Sequence, residues 1–451
     1  MSRFVAVDRE TAYLLPPSVN EWLPANHLAR FVVEVIDQLD LSALTRQYGG
    51  RGSAAHHPAV LLGLLVYGYA SGVHSSRKIE RATYDSVAFR YVAANTHPDH
   101  DTLATFRRRF LKEIEGLFVQ VLVLAQEMKL LKLGHIALDG TKIEANASKH
   151  KALSWAHANK IEAQLRQEVQ ALLALAESSD RQALPEGMDV PAEIARREDR
   201  LRALAQAKAK IEQRAAERHQ REQQEHEAKM AKRQAQRESG KKPRGKDPEP
   251  PQGGPKDSDQ VNLTDEDSRI MPVSGGGFEQ SYNAQAGVDT DTMLVLTAHV
   301  SQASNDKREV RPTLHAIEAL PKVLGQVQTL IADNGYCSGA NVQACSNAHI
   351  EPLLALKREG HHLPVMERFA PDGPEPKATA PLSRMVHQLS TQAGKALYKL
   401  RKQTVEPVFG IIKQVMGWRQ MSMRGLDKAQ GEWNLVTMAW NIKRLHVLRA
   451  A

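Results

Sequence analysis

Cysteine is nearly absent from this sequence, and aromatic residues and long apolar runs are scarce. Its two cysteines, Cys337 and Cys345, fit a reducing compartment and cannot form a four-thiolate zinc site. The longest apolar runs, such as residues 61–67, are far shorter than the roughly 18 residues that a membrane span needs. The N-terminus also lacks the charged-then-apolar pattern of a signal peptide. We therefore predict a cytoplasmic protein without a membrane partner.

Positive charge exceeds negative charge, and the excess is unevenly distributed. The 451 residues include 60 Lys and Arg against 52 Asp and Glu. Residues 193–249 carry 17 basic and 11 acidic side chains, and residues 395–451 carry 11 and 3. A basic protein favours a polyanionic partner. The central segment has two interpretations, a solvated helix of mixed charge or a direct contact with nucleic acid.

Residues 1–132 have the spacing of apolar helices separated by turn signals. One helix is predicted from Pro58 to Gly72, and another from residue 77 towards Asp85 after a short turn. This is the outline of a helix-turn-helix, although scaffold packing in a helical bundle explains the same pattern. In the first interpretation, the basic residues of the second helix that contact DNA are Arg77, Lys78 and Arg81.

The spacing of apolar residues changes at Gly134. Strands are predicted over 135–143, 282–288, 293–301, 327–332 and 350–356, with helices over 307–320 and 339–348. A charged helical arm is predicted over 153–239, broken once near Pro185, and is followed by a Pro- and Gly-rich linker over 240–259. Residues 383–450 are predicted to be helical throughout. This mixed α/β order is that of an RNase H-like core.

Three motifs fall on these elements in order: ALDGTKIEANAS at 137–148, IADNGY at 331–336 and YKLRKQTVEPVFGIIK at 398–413. With them, the sequence resembles the DDE transposases of bacterial insertion sequences over roughly residues 20–445. The resemblance implies a helical domain for DNA binding or dimerisation at 1–132. It also implies a catalytic core over 133–152 and 261–451, the latter including the C-terminal helices, interrupted by the charged insertion and linker at 153–260.

The resemblance further implies that Asp139, Asp333 and Glu406 are catalytic and bind Mg²⁺ or Mn²⁺, with two ions in the site. Phosphodiester cleavage needs an activated nucleophile and a stabilised leaving oxygen, and two ions about 3.5–4 Å apart supply both. Hard divalent cations prefer oxygen ligands. Each residue also has a purely structural explanation, as a turn cap, an Asx-turn or an exposed helix glutamate. Asp306 is the first competing carboxylate and Glu144 the second.

Basic and aromatic residues near these motifs are candidates for contacts with DNA. The resemblance implies that Lys142, Arg401 and Lys413 bind phosphates near the scissile bond, with Tyr398 one helical turn before Arg401. An ordinary solvated basic face is the alternative. Tryptophans in the C-terminal helices either stack on bases or form core, and they are Trp418, Trp433 and Trp440. The paired histidines at 56–57 and 361–362 have no partner at ligand spacing, so no zinc site is predicted.

The predicted activity is cleavage at the terminal inverted repeats of an insertion sequence, followed by joining of the freed 3′-ends to target DNA. Synapsis of two ends implies a homodimer on DNA, associated with the bacterial nucleoid. Two alternatives stay open: a catalytically retired DNA-binding protein, and an RNase H-fold nuclease without strand transfer. Many relatives carry their insertion before the glutamate helix, whereas here the largest extra segment follows the first strand. This departure leaves the choice between a hairpin and another cleavage pathway open.

Overall fold

The computed structural model describes residues 18, 21, 23–48, 55–178, 189–240, 242–243, 245–273, 275–356, 372–374 and 380–450. The predicted helix break near Pro185 lies outside these residues. Contacts along the chain divide it into two units. The first unit comprises Met1–Glu144 and Tyr282–Ala451, and the second comprises Ala145–Ser281.

The N-terminal part of the first unit is helical, as predicted. Its helices are α1 Leu28–Asp37, α2 Ser42–Thr45, α3 Pro58–Ser71, α4 Ser76–Asp85, α5 Val87–Val92, α6 His100–Arg109 and α7 Leu111–Glu127. Helix α3 has Pro58 in its first turn, where the missing N–H costs no hydrogen bond, and ends at Gly72 with φ 86°. Nearly all of α3 is buried, so it is a core helix of this part of the unit.

Helices α3 and α4 are bent by 95° at the short turn between them. In the part of the chain that the structure describes, no single helix is long and apolar enough to cross a membrane, although this bent pair passes the same test of length and composition.

The strands that the structure describes are β1 His135–Glu144, β2 Ala152–Ser154, β3 Gln260–Asn262, β4 Arg269–Pro272, β5 Phe278–Asp289, β6 Val295–Ser301, β7 Thr329–Ala332 and β8 Glu351–Leu354. Within the first unit the sheet order is β6-β5-β1-β7-β8. Strands β5 and β6 form the predicted antiparallel hairpin, and β7 is parallel to both β1 and β8. Strands β1 and β7 therefore run in the same direction, and β1 extends beyond the end of β7.

The later helices of the first unit are α10 Val310–Glu318, α11 Gly339–Asn347, α12 Pro381–Ser390, α13 Gln392–Gly410 and α14 Leu426–Ala450. The prediction of continuous helix over 383–450 is wrong, because a π-helical turn at Ile411–Val415 is followed by an irregular segment at 416–425. Gly417 and Gly425 adopt positive φ angles of 69° and 92° there, which a helix does not tolerate. Gln420 of this segment forms a parallel bridge with Glu144.

Helix α14 is the central core helix of the first unit. It packs against α3 and α7 on the helical side and against β6 on the sheet side. The side chain of Asn441 donates to the carbonyl of Val295 at 2.7 Å and accepts from its N–H at 2.8 Å, and these two bonds fix α14 to the sheet. Core packing is the correct interpretation of the three C-terminal tryptophans, because all are buried: Trp418, Trp433 and Trp440.

The second unit consists of two long helices and short strands. Helices α8 Trp155–Ser178 and α9 Val190–Glu238 pack together, β2 pairs with β3, and β4 pairs with residues 278–281. Their small apolar core contains Leu153, Ala158, Leu204, Ala207, Ile211 and Val261. The predicted linker over 240–259 forms no helix or strand in its described residues, yet ion pairs hold it to α9. Arg233 pairs with Asp247 at 2.8 Å, and Arg218 with Asp259 at 2.6 Å.

Candidate active site

Asp139 and Asp333 are brought together by the register of two parallel strands. Ala137 of β1 pairs with Ile331 of β7, and each aspartate lies two residues further along its strand direction. Oδ1 of Asp139 accepts a hydrogen bond from the N–H of Gly140 at 2.9 Å. Oδ1 of Asp333 accepts one from the N–H of Gly335 at 2.8 Å. Asp333 thus makes an Asx-turn, whereas Asp139 lies within β1 and caps no turn, and Oδ2 of each residue is directed elsewhere.

Both Oδ2 atoms face the guanidinium of Arg401. Helix α13 packs against β1 and β7 and carries both Arg401 and Glu406. Nη2 of Arg401 lies 3.4 Å from Oδ2 of Asp333 and 3.6 Å from Oδ2 of Asp139. Nη1 of Arg401 donates to Oε1 of Glu406 at 2.9 Å. One largely buried guanidinium, 11 % exposed, therefore contacts all three predicted carboxylates.

The carboxyl group of Asp139 has a raised pKa. Burial raises its pKa to about 6, the positive charge of Arg401 opposes this rise, and the negative charges of Asp333 and Asp306 add to it. Perturbed carboxyl groups of this kind are typical of functional sites.

A fourth carboxylate, Asp306, lies beside the group and is held by two buried amides of β5. Asn283 Nδ2 and Gln285 Nε2 each donate to Oδ1 of Asp306 at 2.8 Å. The hydroxyl of Tyr336 donates to Oε1 of Gln285 at 2.5 Å. Burial, together with the three nearby aspartates, raises the pKa of Tyr336, which keeps this hydroxyl protonated as a donor. Sequence reasoning missed the two amides and the tyrosine.

Gly140 is the point of closest approach in this network. A Cβ atom at this position would lie 2.0 Å from Nε2 of Gln285 and 2.9 Å from Oδ1 of Asp306. The glycine of the ALDGTK motif is therefore required by space, because any side chain would displace the groups that flank Asp139.

Two lysines contact each other beside the site, and one of them contacts a carboxylate. Nζ of Lys142, on β1, lies 3.8 Å from Oδ1 of Asp306. Nζ of Lys413, in the π-helical turn, donates to the carbonyl oxygen of Lys142 at 2.9 Å. Burial lowers the pKa of both lysines, and Asp306 opposes this effect at Lys142. Tyr398 is half-buried on α13, one turn before Arg401.

The remaining predicted residues lie on other elements. The predicted DNA-binding residues of the N-terminal part lie on α4, and their side chains are exposed: Arg77, Lys78 and Arg81. Arg81 forms an exposed ion pair with Asp85 at 3.1 Å. Glu144 ends β1, where its backbone bonds to Arg419 and Met421.

The donor set can be tested against a divalent cation. Carboxylate oxygens are the ligands that Mg²⁺ and Mn²⁺ prefer, and Asp139, Asp333 and Glu406 supply them around one point. Among the described residues, however, no group of three His, Cys, Asp or Glu side chains has the spacing of an assembled metal site. The guanidinium of Arg401 lies between these carboxylates instead. The oxygen ligands therefore fit a divalent cation. In this structure the positive charge of Arg401 neutralises these carboxylates.

Two family models match the chain. Residues 17–109 match the Transposase domain (DUF772), and residues 257–442 match the Transposase DDE domain, a range that includes Asp333, Arg401 and Glu406. No curated protein and no solved structure matches the chain significantly. The matched domains define a DDE transposase, a metal-dependent enzyme that acts on DNA. Its pairing of a DUF772 domain with a DDE domain assigns it to the transposases of insertion sequences.

Proposed function

We propose that this transposase cleaves phosphodiester bonds at the terminal inverted repeats of its element and joins the freed 3′-ends to target DNA. The observation that carries the proposal is the contact of Arg401 with Asp139, Asp333 and Glu406, residues that are 194 and 73 positions apart in the sequence. Chance placement does not explain three distant carboxylates around one buried guanidinium, since grouping like charges costs free energy.

The catalytic core is RNase H-like in this proposal. Support comes from the sheet order β6-β5-β1-β7-β8, with an antiparallel hairpin on one side of β1 and parallel strands on the other. The core then comprises residues 133–152 and 261–451, and the helical domain comprises residues 1–132, with the charged arm and linker at 153–260 between the parts of the core.

Asp139, Asp333 and Glu406 would hold two Mg²⁺ or Mn²⁺ ions. When bound, such ions activate the attacking hydroxyl and stabilise the leaving oxygen. The chain's own residues prepare the site. Backbone N–H groups fix Oδ1 of both aspartates, so that their Oδ2 atoms face the same point, and Arg401 offsets the repulsion between the carboxylates.

Arg401, Lys142 and Lys413 would bind the phosphates that flank the scissile bond. Each is partly buried, so its charge acts in a medium of lower dielectric than water. Arg401 suits a phosphate because its planar guanidinium offers two parallel donors. Tyr398 lies one helical turn away and would contact the same strand of DNA.

The helix pair α3 and α4 would read the terminal repeats as a helix-turn-helix. The 95° bend, the buried α3 and the exposed Arg77, Lys78 and Arg81 on α4 all favour this role. Because two ends of the element have to be held together for transposition, we propose that the enzyme acts as a homodimer on DNA.

A cleavage assay tests the proposal. Purified protein is incubated with a plasmid carrying the flanking inverted repeats, in Mg²⁺ or EDTA, and wild type is compared with Asp333→Ala. Asp291→Asn is the matched control, because Asp291 is an exposed aspartate of the β5–β6 turn. We expect metal-dependent cuts at the repeat ends that Asp333→Ala abolishes and Asp291→Asn retains. Specific binding without cleavage would identify a retired DNA-binding protein, and cuts throughout the plasmid would identify a nuclease.

A further inference from the structure

The loop between β6 and α10 places a carboxylate beside strand β1 and beside the turn that follows β7. This residue is Asp306. Besides its close approach to Gly140, its Oδ2 atom would lie 3.8 Å from a Cβ placed on Gly335, the residue two positions after Asp333. Asp306 thus reaches the backbone next to Asp139 and the backbone next to Asp333, although it belongs to neither strand.

The orientation of this carboxylate is fixed by a hydrogen-bonded chain in which every amide has one defined role. Tyr336 donates to the oxygen of the Gln285 amide, so the Gln285 nitrogen faces Asp306. The same nitrogen donates to the oxygen of the Asn283 amide at 3.1 Å, so the Asn283 nitrogen also faces Asp306. Amide groups exposed to solvent would rotate, whereas these two are held by their partners.

The chain that holds Asp306 is fully buried. Asn283, Gln285 and Tyr336 are each 0 % exposed, while the side chain of Asp306 itself is 27 % exposed. Burying three polar groups costs free energy that only satisfied hydrogen bonds offset. Asn283, Gln285 and Tyr336 therefore form a buried hydrogen-bonded network that holds the accessible carboxylate of Asp306.

The side-chain hydrogen bonds and the ion pair of Asp306 use Oδ1 and leave Oδ2 open. Two amides and Lys142 approach Oδ1, and no described residue donates a hydrogen bond to Oδ2. The same division holds in Asp139 and Asp333, whose Oδ1 atoms accept backbone N–H groups and whose Oδ2 atoms face the centre of the site. Pairing with Lys142 alone does not explain why Oδ2 of Asp306 is left open. The distance from Lys142 Nζ to Oδ1 is long, at 3.8 Å, and the same Oδ1 atom also accepts from both amides.

The balance of charge also indicates that another cation belongs here. Asp139, Asp306, Asp333 and Glu406 carry four negative charges when ionised, and two cationic side chains contact them: Arg401 and Lys142. The negative charges therefore outnumber the positive charges that contact them in a partly buried site. Such an excess raises the affinity for a divalent cation.

We propose that Asp306 is a fourth carboxylate of the cation site, and that Oδ2 is the oxygen it contributes. The inference rests on the proposed function, since it adds a ligand to the site that Asp139, Asp333 and Glu406 form there. Asn283, Gln285 and Tyr336 are positioning residues in this arrangement, because they act through Asp306.

The test measures Mn²⁺ binding to the full-length protein without DNA, by electron paramagnetic resonance at pH 8. Asp306→Asn is the main variant, because its side-chain oxygen still accepts from both amides while the negative charge is lost. We expect Mn²⁺ affinity to fall at least about tenfold in Asp306→Asn, as ligand and supporting changes at metal sites do. Asp291→Asn should bind Mn²⁺ like wild type. The melting temperatures of all variants are compared, and Asp306→Ser is a second neutral variant should Asp306→Asn melt early.

Asp333→Ala separates the two possible failures. If it weakens Mn²⁺ binding while a neutral Asp306 variant with a wild-type melting temperature binds within twofold of wild type, Asp306 is not a ligand and only supports Lys142. If Asp333→Ala also binds Mn²⁺ like wild type, the proposed cation site itself is wrong. A loss of Mn²⁺ affinity in both Asp333→Ala and Asp306→Asn supports the fourth ligand.

Discussion

The guanidinium of Arg401 donates to Oε1 of Glu406 at 2.9 Å, five residues further along α13. Glu406 is half exposed, whereas Arg401 is almost buried, so the pair links the solvent side of the site to its interior. The Nη2 atom of Arg401 also lies 3.4 Å from Oδ2 of Asp333. In the proposed site, the internal cation and the divalent cations thus have the same carboxylates as partners.

Replacing Arg401 should therefore change metal affinity and DNA cleavage in opposite directions. In Arg401→Gln at pH 8, we expect Mn²⁺ to bind at least about tenfold more tightly without DNA, because a positive charge about 4 Å away is worth several kcal/mol at an effective dielectric of 20. Cleavage of repeat-end DNA should fall, because the glutamine no longer offers a charged donor to the phosphate. Equal or weaker Mn²⁺ binding in the variant would show that Arg401 does not compete for the carboxylates.

Cation binding should depend on pH through Asp139. Burial raises the pKa of this carboxyl to about 6, so in the absence of a cation it is mostly protonated below pH 6 and mostly ionised above pH 7. Protons and Mn²⁺ compete for the ionised form, so we expect apparent Mn²⁺ affinity to fall about tenfold per pH unit below pH 6 and to stay level above pH 7. A titration from pH 5 to pH 8 measures this, and Asp139→Asn should lack the step. A flat wild-type profile would contradict the assignment.

Gly140→Ala should damage the site more than the fold. The new Cβ would collide with Gln285 and Asp306, which we expect to cost about 1–3 kcal/mol of unfolding free energy and at least about 100-fold in cleavage rate. Gly116→Ala is the matched control, because a Cβ on Gly116, inside α7, meets nothing within 4 Å. That variant should be stabilised by about 0.5–1 kcal/mol and fully active. Normal cleavage by Gly140→Ala would mean that the close contacts are irrelevant to catalysis.

A buried polar network outside the active site should dominate stability. Glu432 of α14 is fully buried and accepts from the Tyr69 hydroxyl at 2.8 Å and the Ser422 hydroxyl at 2.7 Å, while buried Arg107 donates to the Tyr69 hydroxyl. Glu432→Leu leaves these donors unpaired, and we expect a loss of about 3–5 kcal/mol in chemical denaturation.

The surface pair of Arg449 with Glu34 provides the comparison for Glu432. Both partners are about half exposed, so Glu34→Ala should change the unfolding free energy by less than about 1 kcal/mol. Similar losses of unfolding free energy in Glu432→Leu and Glu34→Ala would show that the buried position of Glu432 does not increase its contribution to stability.

DNA binding by α4 should appear in the salt dependence. Replacing Arg77, Lys78 and Arg81 together with alanine removes three positive charges from its exposed surface. We expect the slope of log K against log salt for repeat-end DNA to become shallower by about 0.9 for each phosphate that α4 no longer neutralises. The control replaces three exposed cations of other segments, Arg46, Lys112 and Lys132. An unchanged slope in the α4 variant would exclude phosphate contacts by this helix.

The sequence was sufficient to predict the strand that contains Asp139 and the strand that ends just before Asp333, because each has a short apolar run that ends at the aspartate. The sequence did not predict the buried hydrogen bonds that Asn283 and Gln285 donate to Asp306. Asn283 and Gln285 alternate with apolar residues in β5, a pattern typical of a strand with one face in solvent. Here the polar face is buried by partners that are distant in sequence, and no local pattern contains that information.

The break after α13 was missed although a signal was present. Gly417 and Gly425 border the irregular segment, and two glycines eight positions apart in a helical pattern indicate an interruption. The anchoring of Asp247 and Asp259 to α9 had no such signal, because the pairs join residues whose separation depends on the fold.

The position of α14 in the chain constrains how this enzyme is made. Helix α14, which packs between the N-terminal helices and the sheet, lies at residues 426–450. The ribosome therefore completes the N-terminal helices and the strands of the sheet long before it completes α14. Contacts of such high sequence separation form slowly and leave apolar surfaces exposed meanwhile. Translation products that stop before residue 426 would therefore contain every carboxylate proposed for catalysis and still lack the helix that completes the core of the first unit.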